Sequence, residues 1–218
     1  MPTVKRMIES IKDNVRYIFA IDGRFEDYDG MDVSSPDVVE YLKSIPNVKY
    51  HAAPPIKEPD KRQIYLNMAE EYDTDWLLIL DADDYITHET DWGQVEAEID
   101  TKRFSKSTIC SITIAIEGQE GQYPRMWYKP EGFEYTKCHN FWRRKEDNTI
   151  WKSADGAPAI KSMFAKSNDS LKTEENLKNT YEYQVKLKEY EGPLKAKYRA
   201  KAVNYSGVVH KRFTLYDA

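Results

Sequence analysis

The stretch WLLILDADDY, residues 76–85, decides the fold class of this chain. Its first five residues form a continuous apolar run of strand length, which is typical of a central strand that helices cover on both faces. Three carboxylates, Asp81, Asp83 and Asp84, follow that run directly. Because ligands of open α/β sheets bind at the carboxyl edge of the strands, this stretch predicts an α/β fold with a ligand site at its acidic end.

The residues around this stretch alternate between helical and strand patterns. Up to residue 90, helices are predicted over about 1–12, 37–44 and 61–72, and strands over 15–21, 48–51 and 76–80. After residue 107, alternating apolar and polar residues indicate antiparallel strands. We therefore expect a single domain over residues 1–218, with one half over 1–90 and a second half over 91–218 that includes a C-terminal closing segment.

Composition excludes several classes of protein. The 218 residues include 32 Lys and Arg against 37 Asp and Glu, so the net charge of −5 creates no overall positive field for nucleic acid or anionic lipid. Two cysteines do not form a disulfide framework, and no apolar run reaches the length of a membrane span. The first residues lack the apolar core of a signal peptide. We expect a soluble, cytoplasmic protein with no membrane span and no nucleic-acid partner.

Asp81 and Asp83 form a D-x-D pair. Alternate residues of an extended segment project to the same side, so their carboxylates are expected to lie together. Adjacent carboxylates repel each other unless a cation lies between them. Mg²⁺ or Mn²⁺ meets that need and keeps open positions for phosphate oxygens. The alternative is an acidic turn after a core strand, since Asp is a common turn residue.

The order of these motifs resembles that of glycosyltransferases with the GT-A fold, most closely those of family 2. In that family a helix with an Arg and an Asn, here Arg62 and Asn67, leads into an apolar strand and a D-x-D motif. The resemblance implies a Rossmann-like, nucleotide-sugar-binding sheet flanked by helices, with antiparallel strands in the second half. By this resemblance residues 1–90 are the nucleotide-sugar-binding half, and residues 91–218 are the acceptor half with the C-terminal closing segment. It also implies Mn²⁺ or Mg²⁺ on Asp81 and Asp83, bridging the diphosphate of a UDP- or GDP-sugar donor. It covers residues 15–87 well and the remainder loosely.

The same resemblance assigns roles to further residues. Asp22 resembles an acid that contacts the nucleotide base. Lys61 and Arg62 would lie beside the diphosphate or the base. Asp81 would bind the diphosphate through the metal ion. His210 resembles a late histidine that completes the metal site, with an ordinary surface histidine as the alternative. The chain departs from the family pattern because the usual first strand and the usual acceptor-side Glu-Asp pair are not evident.

Inverting transfer needs a carboxylate that takes the proton of the acceptor. Asp155, in WKSADGAP, is the first candidate because it follows an aromatic strand and precedes Gly156, where a loop can present it. The alternative is an ordinary turn aspartate. Glu146 and Asp147 are the second choice.

Three functions remain open from the residues alone. The first is a metal-dependent glycosyltransferase that moves a sugar from a nucleotide-sugar to an unidentified acceptor. The second is a nucleotide- or sugar-binding module of the same fold without activity. The third is a phosphatase of the haloacid dehalogenase type with Asp81 as nucleophile. That family usually places its motif near the N-terminus and adds a later acidic pair, but no Asp-Asp or Gly-Asp-x-x-x-Asp sequence appears after residue 84.

Overall fold

A computed structural model of the chain describes residues 2–26, 33–102, 104–116, 119–136, 141–152 and 157–167. These residues belong to one structural unit, in which helices pack on β-sheets. The predicted α/β class is therefore confirmed at this coarse level. The prediction of a single domain over 1–218 stays a prediction.

Four α-helices lie in these ranges: α1 (Pro2–Ile11), α2 (Pro36–Ser44), α3 (Glu58–Glu71) and α4 (Trp92–Thr101). The helical spacing predicted for the first dozen residues is confirmed, because Ile8 and Ile11 of α1 are buried. Proline lies in the first turn of α2 and of α3, where its missing N–H has no partner to lose. No helix of the described ranges is long and apolar enough to cross a membrane.

The same residues form ten β-strands and one short 3-10 helix, Pro130–Gly132. The strands are β1 (Ile18–Asp22), β2 (Val48–Ala52), β3 (Trp76–Leu78), β4 (Asp84–Ile86), β5 (Thr108–Ile116), β6 (Gln119–Tyr128), β7 (Phe133–Tyr135), β8 (Phe141–Arg144), β9 (Ile150–Lys152) and β10 (Ala159–Ser167).

These strands form three sheets. β1 and β2 form a parallel pair, and β7, β8 and β9 form an antiparallel sheet. The five-stranded sheet has the order β3-β6-β5-β10-β4 and is antiparallel except between β5 and β10. In it, Asp84 and Ile86 of β4 pair with Ser167 and Ala165 of β10. The predicted antiparallel character of the second half is confirmed.

Among the described residues, β3 lies at the edge of its sheet, so the structure does not show the central position predicted for the strand over residues 76–80. Within the described residues it pairs only with β6. Both of its faces are nevertheless covered. Leu77 and Ile79 belong to a cluster with Leu66 of α3, whereas Leu78 packs against the second cluster, which includes α1 and α4. An apolar run indicates that both faces of a strand are covered by other residues. It does not indicate how many strands pair with that strand.

Candidate functional site

The candidate site lies where β1 and β3 end and α3 begins. Asp22 is the last residue of β1, and Asp81 follows the end of β3. Lys61 and Arg62 are consecutive residues in the first half of α3, and their charges act on Asp22 and Asp81 respectively. The structure thus brings together the four residues that were predicted for ligand binding.

The acidic motif is a turn and not an extended segment. The Asp84 N–H donates to the Asp81 carbonyl oxygen at 2.9 Å, and the Asp81 N–H donates to Asp84 Oδ2 at 3.2 Å. The prediction that Asp81 and Asp83 project to one side of an extended chain is therefore wrong. The physical reason is that β3 ends at Leu78 and an aspartate side chain readily closes a turn onto the nearby backbone.

Arg125 of β6 is the cation that the structure places on the acidic turn. Its Nη2 lies 2.8 Å from Asp81 Oδ2 and 3.3 Å from Asp84 Oδ2. The Arg125 side chain is only 19% exposed, and that of Asp84 is 3% exposed. Burial alone lowers the pKa of Arg125, but the two carboxylates outweigh it and hold the pKa above its usual value. A protonated guanidinium therefore bridges the two carboxylates.

Sequence reasoning missed Arg125. The partners of Arg125 are distant in the chain. Arg125 lies opposite Ile79, whose N–H donates to the Arg125 carbonyl at 2.7 Å. No local sequence pattern predicts this pairing of the two strands. One signal was present. The two residues that follow it, Met126 and Trp127, are both buried, so both faces of β6 are covered there. An arginine in such a strand needs a charged partner.

A second guanidinium lies on the other side of Asp81. Arg62 Nε donates to Glu58 Oε1 at 2.8 Å, and Arg62 Nη2 lies 3.9 Å from Asp81 Oδ1. Glu58 is buried. The Asp81 side chain is 45% exposed and is therefore more accessible than those of its neighbours Arg62, Arg125, Glu58 and Asp84. It therefore presents a carboxylate to solvent while two arginines hold its position.

Burial makes Asp84 an unusual carboxyl group. Burial raises its pKa from 3.8 to about 6, the charges of Asp81 and Asp83 add to this effect, and Arg125 opposes it. Asp84 therefore gains a proton at a pH where exposed carboxyl groups remain ionised. The site becomes less negative as the pH falls through about 6.

Asp22 holds the chain around β1 together. Its carboxylate accepts from the Ser34 N–H at 3.0 Å, from the Ser34 hydroxyl at 2.9 Å and from the Tyr50 hydroxyl at 2.9 Å. Burial, and then the hydrogen bond to Asp22, raise the pKa of Tyr50 to about 12. These bonds use most of the acceptor positions of one carboxylate. The predicted contact of Asp22 with a nucleotide base stays a prediction.

Lys61 packs on the turn that follows β1. Its Nζ donates to the Gly23 carbonyl and lies 5.0 Å from the centre of the Phe25 ring. Burial lowers its pKa, the charge of Asp22 opposes this, and that of Arg62 adds to it. Gly23 has φ +137°, and a Cβ there would lie 2.4 Å from the Ala53 carbonyl oxygen, so only glycine fits this turn.

Two tyrosines close the side of the site next to α3. The hydroxyls of Tyr65 and Tyr135 are hydrogen-bonded to each other, and the Tyr135 N–H donates to Gln63 Oε1 at 3.1 Å. Burial raises the pKa of Tyr65, and the charge of Arg62 opposes this. The pair therefore ties β7 to α3 beside Arg62.

Two predicted site residues, Asp155 and His210, lie outside the described residues. Asp83 is described, half-buried in the acidic turn. In the ranges that the structure covers, no three His, Cys, Asp or Glu side chains converge as a metal site would require. The predicted Mn²⁺ or Mg²⁺ site therefore stays a prediction.

Asp147, a second choice for the base, is held by a neighbouring cation. Its carboxylate accepts from Arg144 Nε at 3.0 Å and from Arg144 Nη2 at 2.6 Å. These bonds to Arg144 are the largest cause of a pKa well below its usual value. A carboxylate held in this way is a weak proton acceptor.

A scan against protein-family models finds no match for this chain, and a search of the curated proteins finds none either. The resemblance to GT-A glycosyltransferases of family 2 therefore stays a prediction.

Proposed function

We propose that this chain binds the diphosphate of a nucleotide-sugar at the carboxyl edge of β1 and β3 and transfers the sugar to an acceptor. The observation that carries the proposal is the acidic turn. Its accessible carboxylate, that of Asp81, lies between two partly buried arginines, Arg62 and Arg125, with Lys61 nearby. Fixed cations and an oxygen ligand for a metal are what a metal-bound diphosphate requires.

The charges of the site suit a divalent cation. The site has five carboxyl groups and three cations, which leaves two negative charges when all are ionised: Asp22, Glu58, Asp81, Asp83 and Asp84 against Lys61, Arg62 and Arg125. Asp81 and Asp83 would hold Mn²⁺ or Mg²⁺. When bound, the ion would act as a Lewis acid on the leaving diphosphate.

The residues of the chain have separate tasks in this proposal. Arg125 fixes Asp81 and Asp84 against each other, so that Asp81 does not reorganise when a ligand arrives. Arg62 is itself held by Glu58 and places positive charge beside Asp81, where an anionic donor would approach. Lys61 secures the turn after β1 and adds a third positive charge.

Release of nucleoside diphosphate tests the proposal. The full chain is incubated with a panel of UDP- and GDP-sugars and Mn²⁺, and Asp83→Ala is compared with Asp100→Ala, the same change at an exposed position of α4. We expect Asp83→Ala to lose metal-dependent donor binding and at least 100-fold in turnover, and Asp100→Ala to lose neither. Undiminished turnover in Asp83→Ala would refute the assignment.

A nucleotide- or sugar-binding module without activity is the second candidate. The observation that favours it is Arg125, whose guanidinium bridges Asp81 and Asp84 and so supplies a cation of the chain itself to the acidic turn. Such a module would bind UDP or GDP equally well with Mn²⁺ and with a chelator. Binding that survives chelation, with no turnover of any donor in the panel, would favour the module over the enzyme.

A further inference from the structure

The hydroxyl groups of Tyr65 and Tyr135 form a pair beside a buried cluster. That cluster includes Leu66 of α3 and Trp127 of β6, and both tyrosine rings pack against it. The two ring centres are 6.0 Å apart and the ring planes lie at 85°, so the rings meet in an edge contact. The backbone of Tyr135 is also held, since its N–H donates to Gln63 Oε1 at 3.1 Å. The hydroxyl pair therefore has a fixed position.

Arg62 lies next to this pair on α3. It precedes Tyr65 by three residues, and this spacing places both side chains on one face of the helix. Burial raises the pKa of Tyr65, whereas the charge of Arg62 opposes this. Because a guanidinium has only donors, the Tyr65 oxygen turns its lone pairs toward Arg62 and directs its own proton to Tyr135.

Arg125 lies near the pair on the side of the sheet. Arg125 and Trp127 are alternate residues of β6, so their side chains project to the same side of the strand. The ring centres of Trp127 and Tyr135 are 5.6 Å apart. Burial raises the pKa of Tyr135, and the charges of Arg62 and Arg125 both oppose this rise. The two guanidinium groups beside Asp81 are therefore also close to Tyr135.

The proton of the Tyr135 hydroxyl has no acceptor. The bond between the two hydroxyls raises the pKa of Tyr65 and lowers that of Tyr135, as expected when Tyr65 donates and Tyr135 accepts. A phenol oxygen that accepts a hydrogen bond still has its own proton to donate. In the part of the chain that is described, the Tyr65 hydroxyl is the only hydrogen-bonding acceptor that contacts this group.

The neighbours of Tyr135 are rich in donors. Besides the two guanidinium groups, the indole N–H of Trp127 is buried and donates to no described residue. The carboxylates of the site that the structure describes do not accept the proton, because Glu58 pairs with Arg62, and Asp81 pairs with Arg125. The missing partner is therefore an acceptor, and the two cations favour a negatively charged one.

We propose that Tyr135 is a binding residue of the diphosphate site, and that its hydroxyl donates a hydrogen bond to an oxygen of the diphosphate. This inference rests on the proposed function, which brings the diphosphate to Asp81. A phosphate oxygen fits better than a neutral sugar hydroxyl, because Arg62 and Arg125 are each only 19% exposed and place two positive charges beside Tyr135.

Calorimetric titration of the full chain with inorganic pyrophosphate and Mn²⁺ tests the inference. Tyr135→Phe removes the hydroxyl and keeps the ring, and we expect it to weaken pyrophosphate binding by at least about tenfold. Tyr65→Phe keeps the Tyr135 proton and should weaken binding by only about two- to fivefold, because Tyr135 loses the donor that polarises it. Tyr41→Phe is the matched control, since the Tyr41 hydroxyl donates to Glu9 at the surface at 2.9 Å, and it should bind as the wild-type chain does.

Circular dichroism and urea unfolding show whether each variant folds. Equal affinity of Tyr135→Phe and the wild-type chain would overturn the inference and leave the proposed function in place. A lower unfolding midpoint with unchanged affinity would overturn it as well, because the acceptor would then belong to the chain itself. If Tyr135→Phe does not fold, Tyr65→Phe decides, and unchanged affinity in that variant would overturn the inference. Absence of binding of pyrophosphate, UDP and GDP by the wild-type chain would instead refute the proposed function, and this inference with it.

Discussion

Replacing Arg125 by Met tests the central ion pair of the candidate site. Methionine keeps much of the apolar stem of arginine but removes the charge between Asp81 and Asp84. A pKa near 6 in place of 3.8 means that ionising Asp84 near neutral pH already costs roughly 3 kcal/mol more in the folded chain than in the unfolded chain. Without Arg125 that cost rises, because removal of one partner leaves a buried charge uncompensated. We expect Arg125→Met to lower the free energy of unfolding by about 3–5 kcal/mol at pH 8.

The pH dependence of this loss identifies Asp84 as its cause. The folded-state pKa of Asp84 lies above the unfolded value, so the folded chain binds the proton more tightly and gains stability as the pH falls through about 6. The variant raises that pKa further, and protonation of Asp84 then removes the buried charge. The stability loss should therefore be smaller at pH 5.5 than at pH 8.

Urea unfolding followed by circular dichroism at both pH values measures the effect. Asp84→Asn should restore most of the lost stability in the Arg125→Met background, because a neutral amide needs no cation. Arg143→Met is the matched control, since its 46% exposed side chain pairs with Glu134 at the surface and should cost under about 1 kcal/mol. A loss below about 1 kcal/mol at pH 8, an equal loss at both pH values, or no rescue by Asp84→Asn would refute the reasoning.

Two further predictions concern the turn after β1. Gly23→Ala should lower the free energy of unfolding by about 1–3 kcal/mol, because residue 23 has φ +137° and the new Cβ would clash with the Ala53 carbonyl oxygen. Urea unfolding measures this loss. Gly93→Ala in α4 is the control and should be neutral or stabilising. Tyr50→Phe should cost about 1 kcal/mol in the same assay, because Asp22 loses one of its donors; an unchanged unfolding midpoint would mean that this hydrogen bond is unimportant for stability.

Local patterns predicted the helices well because helical periodicity is a property of neighbouring residues. The Ile8 and Ile11 positions of α1 are an example, since a short stretch of sequence suffices to place both on the buried face. The bounds of α3 differ from the prediction by a few residues, because the helix begins at Glu58 ahead of the expected Lys61. The ends of an element depend on capping and on local geometry, which the apolar pattern does not report.

The site was harder to predict because it depends on register and on competition between local structures. The acidic motif follows an apolar strand, and that pattern is compatible both with an extended Asp81-Asp83 pair and with a turn. The hydrogen bond from the Asp84 N–H to the Asp81 carbonyl shows that the motif forms a turn. Arg125 reaches Asp81 only because β6 pairs with β3 in one particular register. Sequence periodicity shows which face a residue occupies, but the residue opposite it on another strand is set by the whole sheet.

The pairing of β4 with β10 has a consequence for the order in which the chain folds during synthesis. Asp84, which closes the acidic turn, pairs with Ser167, the last residue of β10. At 5–20 residues per second, a ribosome needs roughly 4–17 s to make the chain between those two residues. Over that interval the apolar strands β5 and β6 emerge while β4 still lacks its partner. The acidic edge of the sheet is therefore among the last parts of this fold to be completed, and nascent chains that stop before β10 should expose it to chaperones and proteases.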